Sequence, residues 1–181
     1  LARFNSAAST TNLVNNGSLT APATKLSLTG NFTNNGTFTH NSGEVILSGT
    51  NQTLTSTATS TIFYDLTERA TTSAQTTFST TTPWVVVRNL NLSGTTSAPL
   101  RLRSTVAGQQ WRINPQSSST VSVAYLDLRD SNNISTATTT ITCLNGCGNS
   151  GNNTKWDFGA SAPVWNSGNW SYYDTITIDH T

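Results

Sequence analysis

The sequence holds eight carboxylates: Glu44, Asp65, Glu68, Asp127, Asp130, Asp157, Asp174 and Asp179. Two pairs have a spacing that could do chemistry. Asp65 and Glu68 are three residues apart, as are Asp127 and Asp130. Glycoside hydrolysis needs two carboxyl groups flanking the bond to be cut. Lyase chemistry needs a base assisted by a metal or an arginine. Each pair falls where a strand is expected to end, and Asp127, Arg129 and Asp130 suit a surface ion cluster of little energetic weight. If the chain were an enzyme, Asp127 and Asp130 would be the pair to test. The expectation is a protein that is not an enzyme, with no catalytic residue.

Metal chemistry has little to work with. Calcium needs several converging oxygen ligands, and there is no Asp-bearing nonapeptide of the kind that binds it in β-rolls. His40 and His180 lie far apart and read as surface residues. No metal and no cofactor is expected. Cys143 and Cys147 bracket Leu-Asn-Gly. Asn-Gly favours a tight turn, which brings two Cα atoms within the ~4.4–6.8 Å that a disulfide spans. A zinc site would want about four ligands, and no His is near. A local disulfide is therefore expected, and with it an oxidising, exported setting; two free thiols are the alternative. So short a loop constrains little of the unfolded chain, so the bond's role would be local rigidity.

A third group is aromatic. Trp156, Trp165, Trp170, Tyr172 and Tyr173, with Ile176 and Ile178 on one face of the last strand, offer a sugar-stacking platform or a protein interface. The plainer reading is a cap that covers the end of the fold.

The elements that would position these residues follow from composition and repetition. The chain has 181 residues, 34% apolar and only 9% charged, with a net charge of +1. Disorder usually comes with high net charge and few aromatics; here there are five Trp, four Tyr and six Phe. Thr is abundant, β-branched and suited to strands. An ordered all-β protein with a surface of hydroxyls and amides is expected. The arginines are scattered, apart from a small cluster at 101–103, so no nucleic-acid partner is expected. No apolar run approaches the ~18 residues of a membrane span, and no membrane insertion is expected. The chain opens LARFNS and reads as a processed form or a fragment.

Residues 13–30, LVNNGSLTAPATKLSLTG, align without a gap on 32–49, FTNNGTFTHNSGEVILSG. In 31–49, Asn-Phe-Thr is extended, Asn-Asn-Gly turns, Thr-Phe-Thr is extended, His-Asn-Ser-Gly turns, and Glu-Val-Ile-Leu-Ser is a third strand. Gly and Asn suit corners because they accept positive φ. Three strands and three corners in nineteen residues make one coil of a parallel solenoid. Leu26, Leu28, Phe32, Phe38, Val45 and Leu47 should point inward. Leu66, nineteen residues after Leu47, continues the cadence. LNLSG at 90–94 and LDLRD at 126–130 repeat it less regularly, and WVVVRNLNL (84–92) and TVSVAYLDL (120–128) are the strongest later strands.

The expected fold is a right-handed parallel β-helix over residues 1–142, with a loop-rich cap and a terminal strand over 143–181. A β-sandwich or jelly roll is the alternative, since it suits the second half nearly as well. It leaves the ungapped repeat unexplained.

NFTNNGTFTHNSGEVILSGTNQTL followed by TIFYDLT resembles the Thr/Asn/Gly-rich repeats of large bacterial surface and secreted proteins. WRINPQSSSTVSVAYLDLRDS followed by SGNNTKWDF resembles a segment that often accompanies them. The resemblance covers residues 12–158. It implies a β-helical exported protein at the cell surface, adhesive or structural, and no catalytic residues. The expected function is a subunit of an extracellular filament or surface layer. Its partners would be copies of itself, joined head to tail through the solenoid ends and through the terminal stretches at 1–4 and 174–181. The alternative is an adhesin or carbohydrate-binding module that meets surface glycans.

Overall fold

The computed structural model describes residues 2–4 and 6–159. Every strand pairing among them is parallel, and no helix occurs. The chain winds as a β-solenoid of about seven turns. A sandwich built from antiparallel hairpins is thereby excluded. One wall has nine strands, from Ala8–Thr10 to Asn153–Thr154, and a second has seven, from Leu13–Asn15 to Gly148–Asn149. A third, of three strands, closes the early coils through Ala2–Arg3, Ser18–Thr20 and Thr37–Thr39.

The repeat at 31–49 folds as its punctuation dictates. Its strands are Phe32–Asn34, Thr37–Thr39 and Glu44–Leu47. Each pairs with its equivalent nineteen residues earlier: Phe32 with Leu13, Phe38 with Leu19, Val45 with Leu26. Side chains alternate in and out. Leu26, Leu28, Phe32, Phe38, Val45 and Leu47 are all buried. Each fully buried Leu or Phe of this kind contributes about 1.5–3 kcal/mol.

The two asparagines of each Asn-Asn-Gly corner point opposite ways. Asn15 and Asn34 turn inward and are buried. The Asn15 amide donates to Asn34 Oδ1 at 2.8 Å and to the Thr37 carbonyl at 2.9 Å. Asn34 in turn donates to Thr61 Oγ1 at 3.1 Å. This buried amide chain satisfies corner groups that water cannot reach. Asn16 and Asn35 form a matching ladder outside, at 2.9 Å. The glycine has a different role from the one expected. Gly36 has no positive φ; those at the next corner belong to Asn41 (48°) and Ser42 (55°). Gly36 is needed for close approach: a Cβ there would lie 2.0 Å from the Gly17 carbonyl oxygen.

Later coils are longer. Leu13 pairs with Phe32, Phe32 with Leu54, Leu54 with Phe78, and Phe78 with Ser104, so successive coils take 19, 22, 24 and 26 residues. From Thr61 onward one long strand, Thr61–Arg69, replaces two short strands and a corner, with a register irregularity between Phe63 and Asp65. The wider bore holds a run of rings. Phe32, Phe38, Phe63, Trp84, Phe78 and Trp111 touch in succession, with centroids 4.3–6.2 Å apart.

Three registers depart from the sequence reading. Leu66 stands over Val45, not Leu47, because the strand Asn51–Ser56 is longer than Phe32–Asn34. TVSVAYLDL is not one strand: Tyr125, at φ 51°, turns the chain from one wall to another, leaving Thr120–Ala124 and Leu126–Leu128. LDLRD thus belongs to a different wall from LNLSG. Strands also continue past residue 142, since Gly148–Asn149, Asn153–Thr154 and Trp156–Asp157 pair with the preceding coil. The rest of the expected cap, including Trp165, Trp170, Tyr172, Tyr173, Ile176 and Ile178, lies outside the described residues.

Asn34→Ala removes an acceptor for Asn15 and a donor to Thr61 in a dry corner. It should lower stability by about 1–3 kcal/mol. Asn35→Ala, on the outer ladder, should stay within about 0.5 kcal/mol of the parent. Urea denaturation midpoints of the two variants check this.

Candidate functional site

The most unusual chemical group among the described residues is Glu68. It occupies an inward column whose other members, past Thr10 at its end, are Leu28, Leu47, Leu92 and Val123. It is 1% exposed. Thr76, on the facing wall and itself fully buried, donates its hydroxyl to Oε1 at 2.7 Å. Oε2 is buried and has no partner among the described residues. Burial pushes the Glu68 carboxyl up to about 7, against the smaller opposing effect of the Thr76 hydrogen bond. Sequence reasoning named Glu68 only as half of a carboxylate pair with Asp65 at a strand end. Its position three residues after Asp65 carried no sign of burial. The clue lay in the alternation of FYDLTE: Leu66 inward forces Glu68 inward.

The corner beside Glu68 is longer than the one it stands on. Residues 70–74 cross between the walls, stacked on residues 48–50. The shorter corner is held by Gln52, whose Oε1 accepts from the Gly49 amide at 2.7 Å and whose amide donates to the Leu28 and Gly30 carbonyls. The mismatch leaves a cavity of about 250 Å³, lined among others by Leu47, Ser48, Thr50, Glu68, Arg69 and Thr71. A second cavity of about 260 Å³ shares Thr50 and Ala74 with it and reaches Arg101.

The other acids are engaged elsewhere. Asp127 receives Arg103 and Ser150, with Arg101 at 3.9 Å. Asp130 is buried; it accepts from Asn152 at 2.7 Å and the Gly108 amide at 3.1 Å, with Arg129 at 3.7 Å. For both, burial works against the charge, but these hydrogen bonds and guanidinium groups outweigh it and hold the carboxyls below the usual range. A general acid needs the opposite shift. The expected cluster of Asp127, Arg129 and Asp130 is thus two ion-pair sites. Asp65 is forked by Arg88, which lies 4.8 Å over the Tyr64 ring. His40 stacks on that ring at 5.4 Å, and burial lowers its pKa. Tyr64 is therefore flanked by His40 and Arg88.

Cys143 and Cys147 are joined, their Cα atoms 5.8 Å apart. Cys143 is fully buried beside the core, and Cys147 accepts the Leu126 amide at 3.3 Å, so the bridge ties the last corner to the coil beneath. Trp156 pairs with Ile141 and is half-buried, its indole nitrogen buried without a partner among the described residues. Among the described residues no group of three or more His, Cys, Asp or Glu is placed to hold a metal ion, and no helix is long and apolar enough to cross a membrane.

At one end of the stack the strands Ala2–Arg3, Ala8–Thr10 and Leu13–Asn15 are outermost in their walls among the described residues. Leu13 donates to Asn31 at 2.9 Å and Asn15 accepts from Asn35 at 2.8 Å, both toward the next coil. Alternate residues of a parallel ladder face opposite neighbours. The Val14 amide and carbonyl therefore face outward along the axis, and its side chain is 58% exposed.

The class this geometry defines is a parallel β-solenoid. Comparison of the chain with protein-family models, with curated proteins and with solved structures finds no match in any of the three. Of what the resemblance to bacterial surface repeats implies, the solenoid fold stands in the structure.

Glu68 makes stability depend on pH. Its folded pKa is above its unfolded value near 4.5. The folded state therefore binds the extra proton, and stability should fall as pH rises from about 4.5 through about 7, by on the order of 3 kcal/mol. Glu68→Leu matches the rest of the column and should flatten that slope while raising stability at pH 8. Denaturation midpoints at pH 5 and pH 8 for both proteins check it.

Proposed function

We propose that the chain is a structural element of an extracellular filament or cell-surface layer, assembling with copies of itself through the ends of the solenoid. One observation carries the reading. The parallel ladders run through the coils to an edge, outermost among the described residues, whose Val14 peptide groups face along the axis. Such an edge accepts another strand by main-chain hydrogen bonding, and two unlike ends in contact generate an open polymer rather than a closed ring.

The wall chemistry supports the same reading. Outward columns such as Ser9–Ser27 and Thr33–Thr55 present hydroxyls. With a charged fraction of 9%, little electrostatic repulsion opposes stacking. The Cys143–Cys147 disulfide suits an oxidising, extracellular setting. Asp127 and Asp130, held ionised by their partners, suit structure better than catalysis.

Electron microscopy and light scattering of the purified chain test the proposal. The parent should form fibres with a strand repeat of about 4.8 Å along the axis. Val14→Pro removes one axial donor without touching the bonds of Leu13 and Asn15 inside the stack. It should leave circular dichroism unchanged and abolish or shorten the fibres. A parent that stays monomeric at millimolar concentration would sink the idea.

A further inference from the structure

We propose that Asn145 is a site of spontaneous deamidation, where the Asn145-Gly146 link converts to aspartate and isoaspartate. The sequence holds three Asn-Gly dipeptides, at 16–17, 35–36 and 145–146. All three asparagines are exposed, so solvent access does not separate them. The fold does, by holding two and leaving the third free. The inference does not rest on the filament reading above.

Reaction brings the glycine nitrogen onto the asparagine Cγ, to the ~3–3.5 Å of a near-attack geometry. The peptide between them must turn to allow it, and glycine has no Cβ to hinder the approach. At 35–36 that turn is blocked. The amides of Asn35 and Thr37, on either side of the reacting peptide, donate to the Asn15 and Gly17 carbonyls at 2.8 and 2.7 Å. The Asn35 carboxamide is fixed as well, donating to Asn16 Oδ1 at 2.9 Å and accepting from Thr57 at 3.3 Å. Gly36 stands so close to the Gly17 carbonyl that one added carbon would collide with it. At 16–17 the same ladder holds the Asn16 carboxamide, and the Gly17 amide donates to Oδ1 of the buried Asn15 at 3.2 Å.

Asn145 has neither restraint. Its carboxamide makes no hydrogen bond among the described residues, and the Gly146 amide makes only a 3.2 Å bond to the Leu144 carbonyl, inside a three-residue turn. The fold nonetheless requires this glycine: its φ is 64°, and a Cβ would lie 2.4 Å from the Tyr125 ring. The reactive dipeptide is thus built into the corner that the disulfide closes. The Gly146 nitrogen gives its proton to water and attacks Asn145 Cγ; a C–N bond closes a cyclic imide, and the side-chain nitrogen leaves as ammonia. Water then adds to one imide carbonyl and breaks its C–N bond, giving aspartate or isoaspartate without oxidant or reductant. In isoaspartate the former main-chain carbonyl of Asn145 becomes a carboxylate, which still accepts the Tyr125 amide that it now receives at 2.7 Å. Either product adds one negative charge, taking the formal net charge from +1 to 0.

Incubation of the whole folded protein in mildly alkaline buffer, followed by peptide mapping in a mass spectrometer, is the test. The Asn145 peptide should gain the mass of an NH2-to-OH exchange at least about tenfold faster than the Asn16 and Asn35 peptides, because opening a ladder corner breaks hydrogen bonds that the 144–146 turn does not have. Electron-transfer fragmentation should place isoaspartate at 145. The reduced, unfolded chain should lose the distinction, with all three positions reacting at similar rates. Asn145→Gln should keep the circular dichroism spectrum and remove the early acidic form from ion-exchange chromatograms. The proposal is overturned if Asn16 or Asn35 converts as fast as Asn145 in the folded protein, if Asn145 is unchanged after the unfolded chain has reacted at all three positions, or if Asn145→Gln yields the acidic form as the parent does.

Discussion

Each residue of this protein stands on its counterpart one coil away, at the fixed spacing of parallel strands, about 4.8 Å. Almost everything else depends on that constraint. Two groups so close must suit each other, so columns become uniform. Asn stands on Asn, Leu on Leu, and Gly36 meets Gly17 where any side chain would collide with backbone. The core is therefore a set of narrow stacks rather than one broad cluster. Polar members such as the Asn15–Asn34–Thr61 chain are satisfied within the stack itself.

The same constraint makes departures conspicuous. A column of Leu, Leu, Glu, Leu and Val contains one member that does not fit. The structure accommodates it with a single hydrogen bond from Thr76 and leaves its second oxygen open. The change in corner length falls at the same level of the stack. Rings and coil length are matched in a similar way. The coils lengthen where Phe63, Phe78, Trp84 and Trp111 must be housed, since a nineteen-residue bore filled by Leu and Phe has no room for two indoles.

The sequence made the early coils legible because their corners and strands alternate at a constant count. Asn34-Asn35-Gly36 and the turn at 40–43 mark corners, and Phe32, Phe38, Val45 and Leu47 mark the inside. Legibility ended where the count changed. Leu66 looked equivalent to Leu47 because nothing in Asn51-Gln52-Thr53 announces that this strand begins three residues earlier than its partner Phe32–Asn34. TVSVAYLDL reads as one strand although its apolar phase shifts from Val121 and Val123 to Leu126 and Leu128, and nothing in a tyrosine announces the positive φ found there. Glu68 was hidden for a related reason: a charged residue is read as solvated until the register that buries it is known. The Cys143–Cys147 bridge, by contrast, depended only on local turn chemistry and could be read directly.

The short reach of every strand pairing also bears on how the chain reaches this state. Strand partners are separated by only about one coil, between 15 and 31 residues, in a chain of 181. A relative contact order near 0.1–0.15 follows, closer to mixed α/β domains than to β-sandwiches. No pairing has to wait for a distant part of the chain. A formed coil is a complete template for the next, so order can spread along the axis as a zipper closes. For the exported setting proposed above, each finished coil would hinder backsliding of the segment already outside.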